Sequence, residues 1–123
     1  MRGLALARCL ELCAAINKPV AVMRDNDGVD PDVLRTPVLK WLDVKLRELF
    51  IGAVADGNTL EPQLITANGE PQLRKIFGIT AAANLVTWMA REKTEGAIRL
   101  AESDEVLSPP AYMKAAAEFI HNA

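Results

Sequence analysis

The stretch Val20-Ala21-Val22-Met23-Arg24-Asp25-Asn26-Asp27-Gly28 constrains this chain more than any other. Four apolar residues run into two aspartates, one residue between them, and then a glycine. A short apolar run bounded by turn formers predicts a strand buried on both faces, as in a parallel sheet. Gly28 lets the backbone turn sharply after it. Side chains two apart on an extended chain point the same way. Asp25 and Asp27 are therefore expected to converge at the carboxyl end of the strand, where open α/β sheets hold their ligands. Two crowded carboxylates repel unless a proton or a cation intervenes, and a hard divalent cation, Mg²⁺ or Mn²⁺, suits oxygen ligands. Asp, Asn and Gly are also ordinary turn formers, so the stretch alone leaves a cation site and a polar turn both open.

The chain has 123 residues, which suits one domain with one core. Aromatics make up only 5% of them, so aliphatic side chains and alanine must fill that core. No apolar run approaches the roughly 20 residues of a membrane span. Met1-Arg2-Gly3-Leu4 lacks the long apolar segment and cleavage site of a signal peptide. A cytoplasmic location without membrane attachment is the expectation. The formal charge of −2 is not the footprint of a protein that holds nucleic acid by bulk charge. It leaves room for a metal-dependent nuclease, whose site carboxylates contribute to the negative count. Cys9 and Cys13 lie four apart on one helical face. With no further cysteine, and with His121 far along the chain, they are expected to be small buried apolar residues.

Taken in order, Leu4 to Asn17 predicts a helix, with Leu6, Cys9, Leu10, Cys13 and Ile16 as its apolar stripe. Asn17-Lys18-Pro19 ends it. After Gly28, Asp30 is a natural N-cap with Pro31 at the first helical position. That helix is expected to reach Arg35, stop at Pro37 and resume towards Trp41 and Leu42. Glu48 to Val54 predicts a second buried strand, and Asp56-Gly57-Asn58 a turn. Asn58 or Thr59 then caps a helix over Leu60 to Ala67, which puts Glu61 in its first turn. Glu61 there either favours the helix dipole or, if the strands are parallel, joins Asp25 and Asp27. The remainder predicts helices over Glu70 to Phe77, Ala81 to Ala90 with Thr80 as cap, Lys93 to Ala101, and one opened by Ser108-Pro109-Pro110. Residues 1–68 thus form an α/β part and 69–123 a helical tail.

These segments together resemble the Toprim domain of the OLD (overcoming-lysogenization-defect) nuclease family. Arg2-Gly3-Leu4, the helix, and Val20 through Gly28 are similar to that domain's Asp-x-Asp segment. Asn58-Thr59-Leu60-Glu61-Pro62 is similar to the segment after its next strand, and Lys93-Thr94-Glu95 to its later lysine segment. The resemblance spans nearly the whole chain and keeps its order. It implies a Rossmann-like parallel sheet with helices around it and an all-helical C-terminal tail. It also implies cleavage of DNA with Mg²⁺ or Mn²⁺, in proteins that join the Toprim domain to an ABC-type ATPase. Asp25 and Asp27 then match metal-binding aspartates, Thr59 and Glu61 the groups that help hold a second metal, and Lys93 a basic residue at the scissile phosphate. Two cations about 4 Å apart would activate a water and stabilise the leaving oxygen, with Lys93 adding charge to the transition state. By itself Lys93 reads as a solvated lysine near a helix start.

The family's domain begins with an earlier strand ending in a metal-binding glutamate, usually Glu-Gly, and this chain starts after it. The expectation is a single, incomplete Toprim domain over 1–123, separated from its upstream strands and its ATPase. Its unpaired apolar sheet edge would be covered in a homodimer, and nuclease activity would be weak or absent. Two other readings remain. Asp25-Asn26-Asp27-Gly28-Val29 also resembles the motif of haloacid-dehalogenase-like phosphatases, in which the first aspartate is a nucleophile and a later acidic pair is required; Asp104-Glu105 is the one available. Alternatively the chain is a non-catalytic assembly remnant that meets a partner through exposed Trp88 or Phe119.

Overall fold

The computed structural model describes residues 2–80 and 82–123. Its elements in order are α1 (Arg2–Ala15), β1 (Val20–Arg24), α2 (Pro31–Arg35), a 3-10 helix (Thr36–Trp41), β2 (Arg47–Ile51), a 3-10 turn (Val54–Asp56), α3 (Leu60–Asn68), α4 (Glu70–Phe77), α5 (Leu85–Arg91), α6 (Lys93–Glu102) and α7 (Ala111–Asn122). The fold is α/β, dominated by helix. None of the helices is long and apolar enough to cross a membrane, among the described residues.

β1 and β2 pair in parallel, with Val22 against Leu49 and Arg24 against Ile51. Their carboxyl ends therefore lie side by side. Alternation sorts their side chains by face. Val20, Val22, Leu49 and Ile51 pack with Leu6 and Leu10 of α1 and with Val38 and Trp41 of the 3-10 helix. On the other face Phe50 meets Phe119 of α7 edge-on, with ring centroids 5.6 Å apart. A second cluster, Leu73, Phe77, Leu85 and Met89, joins α4 and α5, with Leu64 of α3 and Leu100 of α6 against it. Leu64, Phe77 and Met89 of this second cluster line one cavity with Asp25, the residue that follows β1.

Local chemistry explains most boundaries. Asn17 takes a left-handed φ of 55° after α1, a conformation asparagine tolerates at a helix end. The Asp30 carboxylate accepts the Asp32 N–H at 2.9 Å, and Pro31 starts α2. Gly78, at φ 68°, closes α4. Gly52 is glycine because of close approach: a Cβ there would lie 2.7 Å from Gln63 Nε2 and 3.1 Å from the Tyr112 ring.

Several expectations need correction. β1 is not buried on both faces; none of its residues is fully buried, and Met23 is 53% exposed. The described sheet has two strands, so each strand lacks a second neighbour to shield it. β2 stops at Ile51 because Val54 already belongs to a 3-10 turn. The helix expected from Ala81 under a Thr80 cap instead starts at Leu85, where the Asn84 carboxamide oxygen accepts the Thr87 N–H at 2.9 Å; Ala81 itself lies outside the described residues. Cys9 is exposed and Cys13 only partly buried, and Ile16 is exposed beyond the helix end, because α1 turns Leu6 and Leu10 to the core. Trp88 and Phe119 are not free docking residues: Trp88 packs on Phe77 at 4.9 Å and Phe119 on Phe50.

Candidate functional site

β1 ends at Arg24, so the period of two does not extend to the second aspartate. Asp27 takes a left-handed φ of 52°, followed by Gly28 at 82°. Its carboxylate turns back to Arg24, with Oδ2 and Nη2 3.7 Å apart. Asp25 stays at the strand end, where its backbone carbonyl accepts the Arg24 Nε–H at 3.1 Å. Between them Asn26 is fully buried. Its amide donates to the carbonyls of Gly52 and Gly57, both at 2.9 Å, and its Oδ1 accepts the Gly28 N–H at 2.8 Å. The Asp27 N–H donates to Asn58 O at 3.2 Å. One side chain thus ties the loop after β1 to the loop after β2.

That tie fixes where α3 begins. Thr59 is its N-cap by backbone, yet its hydroxyl caps nothing, and the residue lines a cavity of about 360 Å³. Asp25, Thr59, Glu61 and Lys93, four of the five residues singled out in the sequence, line this cavity. Asp27 does not. It lies in an adjoining recess with Leu6, Val22 and Arg24, and Asp25 lines both. Leu60, Leu64, Phe77, Met89 and Gly96 complete the larger cavity.

Electrostatics bind the group together. Glu61 Oε1 and Lys93 Nζ are 3.8 Å apart; the Glu61 side chain is only 15% exposed, that of Lys93 75%. Lys93 opens α6, where the positive end of the helix dipole disfavours a cation, and Glu61 offsets that cost. Burial first, then the charges of Asp27 and Glu61, push the Asp25 carboxyl above its usual range, while Arg24 and Lys93 pull the other way. The ionised form of Asp25 is therefore held at a cost, which a bound cation would relieve. Among the described residues no three Asp, Glu, His or Cys side chains form a ready-made cage. Magnesium needs none, since one or two carboxylates, waters and substrate phosphates commonly complete its shell. Asp25 with Glu61 and Thr59 on one side, and Asp25 with Asp27 on the other, are donor sets of the right chemistry.

Four further residues matter that the sequence did not single out: Arg24, Asn26, Gln63 and Tyr112. The Tyr112 hydroxyl donates to Gln63 Oε1 at 2.8 Å, and Gln63 Nε2 donates to Gly57 O at 3.1 Å. Burial, and secondarily the Asp25 charge, raise the Tyr112 phenol above its usual value. Only the place of Asn26 between two aspartates was a local signal. Gln63 and Tyr112 lie 49 positions apart and meet through tertiary packing alone. A wider cavity, about 670 Å³, opens beyond them between the end of β2, α3 and α7. Asp104 and Glu105 follow α6 with no strand leading into them, and Glu105 pairs with Lys75 at 2.6 Å. No family model, characterised protein or solved structure matches this chain.

Proposed function

We propose that this chain is a phosphodiester-hydrolysing domain that acts on DNA with Mg²⁺ or Mn²⁺, as its resemblance to OLD-family Toprim domains implies. The observation that supports it most is the place of Asp25, which lines two adjoining recesses, each with another carboxylate of its own. A carboxylate shared between two cation positions is what a two-metal site requires. Such cations supply Lewis-acid stabilisation of the attacking and leaving oxygens. The chain's own residues do the rest. Asp25 and Asp27 would hold one cation, and Asp25, Glu61 and the uncapped Thr59 hydroxyl the other. Arg24 orients Asp27. Lys93, paired with Glu61 and mostly exposed, would neutralise phosphoryl oxygens as negative charge builds on them. DNA is the substrate in this proposal, and an ABC-type ATPase is the partner domain.

Calorimetric titration with Mn²⁺ tests the site. The parent chain is expected to bind, and Asp25→Ala and Asp27→Ala to bind no longer. Whatever plasmid nicking the parent supports should fall about a hundredfold in Lys93→Ala. A parent chain with no affinity for Mn²⁺ sinks the proposal.

A further inference from the structure

The cavity under the carboxylates has a rim and a floor of opposite character. Asp25, Glu61 and the exposed Lys93 line it together with Leu64, Gly96 and the buried Phe77 and Met89, so the apolar lining is its inner part. Phe77 and Met89 belong to the buried helical core, so the floor is fixed in shape. Gly96 sits inside α6, without the positive φ that calls for glycine. A methyl there would only reach ordinary contact, 3.7 Å from Trp88 and 3.8 Å from Phe77. Neither backbone conformation nor crowding demands glycine, and glycine weakens a helix interior. What the missing side chain provides is depth.

A phosphate held at the rim has no use for an apolar floor. We infer that the floor receives an unpaired nucleobase beside the scissile phosphate, so that the substrate is single-stranded or frayed DNA and not intact duplex; this rests on the phosphodiesterase proposal above. The volume, about 360 Å³, lies within the range of small-molecule sites. Charge points the same way. The chain carries a net −2, and across the two adjoining recesses Lys93 and Arg24 stand among three carboxylates. Backbone neutralisation, the main source of duplex affinity, is weak here, so burial of a base must supply the binding. A base in a duplex must first be unpaired and unstacked, whereas a single strand offers it at least cost.

The test is a fluorescence titration with Mn²⁺ and a short phosphorothioate strand carrying one 2-aminopurine, alone and annealed to its complement. The chain is expected to bind the single strand about tenfold more tightly than the duplex. Gly96→Leu, which fills the floor, should weaken single-strand binding about tenfold while Mn²⁺ affinity by calorimetry is unchanged. Gly96→Ala keeps the helix and removes part of the depth; it should weaken the same binding by a smaller factor and guards against a folding defect. Equal affinity for the two forms of DNA, or single-strand binding indifferent to both substitutions, overturns the inference. Floor-dependent binding of the single strand in a parent that takes up no Mn²⁺ sinks the metal-dependent proposal and leaves the base pocket standing.

Discussion

Asn26 stands between two acidic residues and carries no charge, yet it determines where both of them sit. Its three hydrogen bonds reach Gly52, Gly57 and Gly28, and it is fully buried. Asn26→Ala would take the side-chain partner from the Gly52 carbonyl and the Gly28 N–H, while Gly57 O keeps Gln63 Nε2; buried groups left unsatisfied cost roughly 1–3 kcal/mol each before the loop relaxes. A net loss of about 3 kcal/mol in unfolding free energy, read from denaturant unfolding, is expected; a loss under about 1 kcal/mol would mean that water replaces the side chain. Asp25 behaves in the opposite sense. Its folded carboxyl titrates above the unfolded one, because of burial and then of Asp27 and Glu61. Its contribution is therefore fully present below the unfolded value, about 3.9, and is lost as pH rises through the folded value. Without divalent cations, Asp25→Asn should be more stable than the parent at neutral pH, and the two should converge towards acid. Equilibrium unfolding at several pH values checks this; an Asn variant less stable at pH 7 would contradict it.

At the scale of elements, α3 and α6 present Glu61 and Lys93 from their first turns, one acid and one base facing across the cavity. Gly96, one turn further along α6, leaves room for a methyl. Gly96→Ala should therefore stabilise the chain by about 0.5–1 kcal/mol, measured by thermal or urea unfolding; destabilisation would show that the floor is tighter than it looks. What was legible in the sequence follows the reach of the signals. Asp30 with Pro31, Asn17 with Pro19, and Gly78 act on their own neighbours, and the elements they bound fall where expected. The α5 start was missed because Thr80 and Asn84 are both acceptable caps, and only packing of Leu85 and Met89 into the helical core chooses between them. Asp25, Thr59, Glu61 and Lys93, which the residues alone left open and only the family resemblance grouped, line one cavity. The departure of Asp27 was not legible, because it depends on a left-handed φ that the buried Asn26 imposes.

For the molecule as a whole, two apolar clusters flank one polar seam. The sheet cluster contributes Asp25 through β1, and the helical cluster contributes Lys93 through α6. The loop after β1 has no regular secondary structure and is largely exposed, which ordinarily means fast local opening. Here its amides are spoken for: Gly28 N–H by the Asn26 side chain and Asp27 N–H by Asn58. Releasing the Gly28 N–H means pulling Asn26 out of the core. Deuterium should accordingly enter these two amides slowly, near the rate of β1 itself and with or without Mn²⁺. Rapid labelling in the metal-free protein would instead describe a loop that the cation must assemble. Slow labelling would make the carboxylates a scaffold already set before any ion arrives, so that the entropy of ordering them is met during folding and not on binding.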